Sequence, residues 1–136
     1  MTPGPPDAQP PLVLIVDDNP KNLKLARDVL RDADFRTLEA ETGAEAIALA
    51  TEHLPNVILM DLGLPDMDGT DAARTLSRDA RTAAIPVVAL SALRIEDRDP
   101  SRADEFAGFL QKPIDVVEFP AQVRRYCGAA RRATLG

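Results

Sequence analysis

Four short motifs follow apolar runs in a fixed order along the chain: Asp17-Asp18, Asp61, Ser91 and Lys112-Pro113. Carboxylates, a hydroxyl and an ammonium drawn to one place can bind a divalent cation and accept a phosphoryl group. Each residue alone has an ordinary explanation. Aspartates after a strand cap helices or make turns, a serine is a small residue at a strand end, and a lysine is a surface cation. Asp61, after Val-Ile-Leu-Met, is more telling, because an acidic residue closing a buried strand is costly without a partner. None of these separate explanations accounts for the joint order and placement.

The elements must carry these residues to a common edge. In a protein of alternating strands and helices, the strand ends line one crevice of a parallel sheet. Leu12 to Val16 is continuously apolar, as expected of a central strand covered on both faces. Residues 20 to 33 space Leu25, Ala26, Val29, Leu30 and Ala33 as the inner stripe of a first helix, with Pro20 tolerated in its first turn. Phe35 to Ala40 suits a more exposed strand. Thr42 and Glu45 form a capping box opening a helix to about His53 that buries Ile47, Ala50 and Leu54. Asn56 to Met60 is the third strand, and Pro65 to Gly69 a turn into a helix with Ala72, Ala73 and Leu76 on one face. Val87 to Leu90 and Gly108 to Gln111 are the fourth and fifth strands. Between them, Pro100 favours a short helix starting near Asp99. The last helix is predicted over Val116 to Tyr126, with Val116, Phe119, Val123 and Cys127 inward and Pro120 disturbing its first turn. Such units with right-handed crossovers predict a doubly wound α/β fold: a five-stranded parallel sheet in order 2-1-3-4-5, helices on both faces.

Charge counting sharpens the chemistry. Asp17, Asp18 and Asp61 against Lys112 leave an excess of about two negative charges, which a divalent cation would neutralise. Hard oxygen donors with retained water suit magnesium better than calcium, with manganese able to substitute. Asp18 and Asp61 are expected as direct ligands, the backbone carbonyl of Gly63 as a third, and Asp17 through water. Asp61 is then a workable nucleophile, with Lys112 and Ser91 holding phosphoryl oxygens.

Bulk properties narrow the class. The 136 residues suit one domain, expected over residues 12–127. With 16 Lys+Arg against 22 Asp+Glu and basic residues clustered only near Arg124, Arg125, Arg131 and Arg132, a nucleic-acid surface is not expected. A single cysteine, Cys127, excludes an internal disulfide and a thiol-rich zinc site. No apolar run is long enough to cross a bilayer and the start is unlike a signal peptide, so a cytoplasmic protein without membrane partners is expected. Residues 1–11 read as a disordered proline-rich arm and 128–136 as a flexible basic tail. His53, the sole histidine, falls at a predicted helix end, where a dipole contact explains it.

Across residues 12–127 these motifs resemble the receiver domains of two-component response regulators, flavodoxin-like domains that accept phosphate from a histidine kinase. VLIVDDNPKNLKLARDVL, with PID and FPAQVRRY after Lys112, is similar to stand-alone receivers of the cell-cycle regulatory type. The resemblance implies a signalling phosphoacceptor rather than an enzyme, one that assists its own phosphorylation and slow dephosphorylation. It assigns Asp61 as phosphoacceptor, the acidic pair to magnesium, Ser91 and Lys112 to the phosphoryl group, and a cis bond before Pro113. Phe109 falls at an aromatic switch position, expected to move with Ser91, although core packing also accounts for it. Gly63 and Leu93 stand two positions after Asp61 and Ser91, where family side chains influence the hydrolytic water. Neither can hydrogen-bond through its side chain, so slow self-dephosphorylation is expected.

Output is expected through an unidentified downstream protein, on the surface of the helix before the fifth strand, that strand and the last helix; a homodimer through that surface is allowed. A histidine kinase or histidine phosphotransfer protein is expected beside the crevice, near Pro20, Lys21, Asn22 and Pro113. The competing readings are weaker. An aspartate-nucleophile phosphatase needs a second acid two positions after its nucleophile, where this chain has Asn19 or Pro20. A flavin or dinucleotide carrier needs a glycine-rich or hydroxyl-rich first turn, and Asp-Asp-Asn-Pro is neither. A degenerate receiver, acting as an interaction module alone, would usually lack an acidic or lysine position, and all are present.

Overall fold

Each apolar run forms a strand. The computed structural model describes residues 10–91 and 106–135, with β1 Leu12–Val16, α1 Pro20–Asp32, β2 Arg36–Ala40, α2 Gly43–His53, β3 Val57–Asp61, α3 Gly69–Arg78, β4 Val87–Ser91, β5 Gly108–Gln111 and α4 Phe119–Leu135. The strands are parallel in the order β2-β1-β3-β4-β5, as the alternation of elements predicts. The short helix expected from Asp99 lies outside the described residues, as do residues 1–9 of the arm and Leu93.

The sheet divides two apolar layers because successive strand side chains point to opposite faces. Val13, Ile15, Val57, Leu59, Val88, Leu90 and Leu110 pack with Leu23, Ala26 and Leu30 of α1 and Phe119, Val123 and Cys127 of α4. Leu14, Val16, Ile58 and Met60 pack on the other face with Ala46 and Ala50 of α2 and Ala72, Ala73 and Leu76 of α3. Fully burying one such aliphatic side chain contributes about 1.5–3 kcal/mol, so two-sided coverage makes the central strands the most stable part of the fold.

The helices start where the local chemistry dictates. Asn19 caps α1 by accepting from the Lys21 N–H, and Pro20 occupies the first helical position. Thr42 caps α2 through the Glu45 N–H; the Glu45 carboxylate reaches back to the Glu41 N–H, one residue before the reciprocal bond of a capping box. Asp68 caps α3 through the Thr70 N–H.

Several expected details differ. Leu25 is 43% exposed, and Leu23 takes the inner position, since Leu23, Ala26 and Leu30 follow the 3.6-residue period that faces the sheet. Leu54 is 55% exposed rather than buried, because it ends α2 in the left-handed region at φ 50° and turns its side chain out. The last helix starts at Phe119, leaving Val116 outside it and exposed, and it runs to Leu135 through most of the segment expected as a tail. Pro120 is therefore the second helical residue, where its missing N–H breaks no intrahelical bond.

Candidate functional site

Strand register sets the site. Val16 lies opposite Met60, so Asp17 comes level with Asp61. Asp61 lies opposite Leu90 and Ser91 opposite Gln111, so Ser91 and Lys112 each fall one step further along the same edge. The two-residue alternation then chooses the face. Asp17 follows Val13 and Ile15, Asp61 follows Val57 and Leu59, and Lys112 follows Leu110, all on the α1 and α4 side. Ser91 and Phe109 carry the opposite parity, and Phe109 sits beside Ala89 on β4.

One oxygen from each of Asp17, Asp18 and Asp61 lies within 4.8 Å of the others. Asp17 is buried, Asp61 partly buried and Asp18 exposed, so the cluster grades from the core to solvent. The Lys112 ammonium donates to Asp17 Oδ2 at 2.9 Å and lies 3.3 Å from Asp61 Oδ2. Burial alone would lower the Lys112 pKa, but the hydrogen bond and charge of Asp17, with those of Asp61, outweigh it and hold the group above its ordinary value. Lys112 thus stays charged throughout the physiological range.

Asp17 is the most fully engaged of the carboxylates. Its Oδ1 accepts from the Asn19 N–H at 2.9 Å, and its Oδ2 accepts from the Asn22 amide at 3.2 Å as well as from Lys112. The turn-making role of an aspartate after a strand is real here, and it belongs to Asp17, while Asn19 does the helix capping. The sequence expects Asn22 beside the crevice; its bond to Asp17 is what no motif announces.

The remaining expected residues are positioned as follows. Gly63 donates its N–H to Asp61 Oδ1 at 3.2 Å and bridges to Asp68, closing a tight loop after β3. Gly69 returns its N–H to the Leu62 carbonyl, and a Cβ on Gly69 would come 2.5 Å from the Asp61 carbonyl oxygen, so only glycine fits where α3 meets that backbone. Ser91 is buried at the end of β4, and its carbonyl accepts from the Lys112 N–H. The Lys112-Pro113 bond is cis. Phe109 is partly buried, with its ring centroid 5.6 Å from that of Phe106.

Three converging carboxylates are a hard oxygen donor set with excess negative charge, which fits a divalent metal cation. Beside the cluster, a cavity of about 300 Å³ opens between α1 and the segment after β5, lined by Ile15, Asp17, Asn22, Leu25, Lys112 and Ile114. Its walls are apolar and its inner end is charged.

Residues 13–124 match the family described as the response regulator receiver domain. The polar-differentiation response regulator DivK of Brucella anthropi is 36% identical over 122 residues, covering 89% of this chain and 99% of that protein. DivK of Brucella ovis is 36% identical over 119 residues, covering 87% and 97% respectively. Among solved structures, a sensor protein from Polaromonas sp. JS666 superposes with a TM-score of 0.81 at 28% identity, covering 88% of this chain and 98% of that one. The receiver domain of a Luxo repressor protein from Vibrio parahaemolyticus shares the fold, with a TM-score of 0.81 at 24% identity over 93% of this chain and 96% of that one.

Proposed function

The chain belongs to the response regulator receiver family, and from that membership we propose that it accepts a phosphoryl group on Asp61 from a histidine kinase or histidine phosphotransfer protein and signals through phosphorylation-dependent protein contacts. The observation that carries this reading is the convergence of Asp17, Asp18 and Asp61 with the Lys112 ammonium held between two of them.

An oxygen of the Asp61 carboxylate bonds to phosphorus as the bond from phosphorus to the donor nitrogen breaks, and the departing imidazole keeps that electron pair. Asp18, Asp61 and the Gly63 carbonyl would hold magnesium directly, and Asp17 through water. Bound there, the ion offsets the negative charge that the incoming phosphoryl group adds to the carboxylates. Lys112, already charged and next to Asp61, pairs with one phosphoryl oxygen, and the Ser91 hydroxyl donates to another. Phe109, on the same face of the sheet as Ser91, is the group through which that new hydrogen bond reaches the β4–β5 edge.

The cavity between α1 and the segment after β5 suits the approach of the phosphodonor, because it adjoins Asp17 and Lys112 and is walled by Leu25 and Ile114. A cytoplasmic setting follows from this role, and among the described residues no helix is long and apolar enough to cross a membrane.

The test is to incubate the protein with magnesium and phosphoramidate and locate the modification by mass spectrometry. One phosphoryl group on Asp61, absent from Asp61→Asn and absent without magnesium, is the expected result. Modification at another residue, or none at all, refutes the proposal.

A further inference from the structure

The loop that follows Asp61 is fastened to a helix that has no direct part in the site. The Asp66 carboxylate accepts from the Gly43 N–H at 2.8 Å and the Ala44 N–H at 3.0 Å, at the start of α2. Thr42 takes the next amide, Glu45, so the free N–H groups of the first turn are shared between a local cap and a residue 22 positions away in the chain. The hydrogen bonds from Gly43 and Ala44 hold the Asp66 carboxyl below its ordinary pKa. Met67 packs over the same point: a Cβ on Gly43 would meet its Cγ at 2.5 Å.

The fastening closes a ring. The Asp17 N–H donates to the Ala40 carbonyl at 3.0 Å, so the acidic doublet is tied to the end of β2. From Ala40 the chain runs four residues to Ala44, where Asp66 is attached, and the loop leads back through Gly63 to Asp61. At the loop's base, the Gly63–Asp68 bridge and the bond from the Gly69 N–H to the Leu62 carbonyl make it stiff enough to transmit that attachment.

Resting on the reading of Asp17, Asp18, Asp61 and Gly63 as the magnesium site, we infer that Asp66 is a positioning residue for that site: by clasping the start of α2, it sets the place of the Gly63 carbonyl and the spacing of Asp61 from Asp17 and Asp18. It touches neither ion nor phosphoryl group. Loss of the clasp lets the loop move as a unit, so the site binds magnesium less tightly while its chemistry, once loaded, is unaltered.

Calorimetric titration with magnesium chloride, at a temperature well below melting, tests this. Asp66→Ala should weaken magnesium affinity about tenfold, the low end for groups supporting metal ligands, and Asp66→Asn, which keeps one acceptor oxygen, should fall between. Thr42→Ala removes the neighbouring cap of the same helix without touching the loop. It should lower the melting temperature yet keep magnesium affinity within about twofold. In phosphorylation by phosphoramidate, Asp66→Ala should need more magnesium for half-maximal rate and reach a similar rate at saturation. The inference is overturned if Asp66→Ala binds magnesium like the wild type, or if Thr42→Ala weakens it equally, which would reduce Asp66 to a helix cap. If the Ala variant does not fold, the Asn variant decides on the same criterion. Wild-type protein that fails to bind magnesium at all would instead remove the reading of the site itself, and this inference with it.

Discussion

At the scale of single residues, one carboxylate differs from its neighbours in how much of it is already used. Asp17 accepts from Asn19, Asn22 and Lys112, whereas Asp18 faces solvent and Asp61 lies between. That grading suits Asp17 to act behind the ligands and leaves Asp61 accessible for transfer. The water that later removes the phosphoryl group must be aimed by something, and Gly63 offers no side chain. Phospho-Asp61 should therefore persist for minutes or longer in magnesium, followed by loss of label over time; a lifetime of seconds would contradict the argument. A Cβ on Gly63 meets nothing within 4 Å, so the position tolerates substitution. Gly63→Asn supplies an amide able to orient water and should shorten the lifetime roughly tenfold, a modest share of what positioning contributes. The type and order of Asp17, Asp18, Asp61, Ser91 and Lys112 were legible in the chain because each closes an apolar run. The bonds of Asn22 to Asp17 and of Asp66 to the start of α2 were not, because the folded backbone chooses a side chain's partner even when, as for Asn22, it lies only five residues away.

At the scale of elements, the strands follow their apolar runs closely, while the helix details depend on which side meets the sheet. Leu54 shows the difference. Hydrophobicity suggested a buried end for α2, but the chain must reverse there, and Leu54 takes φ 50° with its side chain mostly in solvent. A β-carbon in the left-handed region is strained, and glycine is the usual residue at that helix end. Leu54→Gly should raise stability by about 0.5 kcal/mol or less, since the relieved strain of about 1–2 kcal/mol is largely offset by losing the covered part of the side chain. Thermal or urea unfolding would show it, and a lower melting temperature would mean that the Leu54 side chain packs more than its exposure indicates. Val116 was misplaced for a related reason: the stripe Phe119, Val123 and Cys127 is inward, but the helix starts only at Phe119, so the earlier member has no turn to sit on.

At the scale of the whole molecule, the sheet acts as a ruler. Its parallel register brings residues 17, 61, 91 and 112 to one edge, and its pleat divides them between two faces. Asp17, Asp61 and Lys112 share one face; Ser91 shares the other with Phe109, separated along β4 and β5 by the small Ala89. A hydrogen bond drawn from Ser91 toward a phosphoryl group therefore has a diagonal neighbour on its own face, Phe109, through which to alter the β4–β5 edge, where two arrangements can be biased by differential contacts. Amide hydrogen exchange of β4 and β5 should change when Asp61 is phosphorylated, and Phe109→Ala should lose that change while Asp61 is still modified. An equal change in both proteins would refute the switch role and leave Phe109 as a packing residue.

The amino-acid order by itself determined the alternating architecture, the strand order and the identity of the acidic, hydroxyl and ammonium groups, because continuous apolar runs and the residues that end them are local properties. Tertiary structure alone decided that Lys112 bridges Asp17 and Asp61, that Asn22 reaches Asp17, and that Asp66 clasps α2. The physical reason is that folding chooses the partners: Lys112 lies 95 residues from Asp17, Asp66 lies 23 and 22 from Gly43 and Ala44, and even Asn22, five residues from Asp17, reaches it only once α1 forms beyond the end of β1.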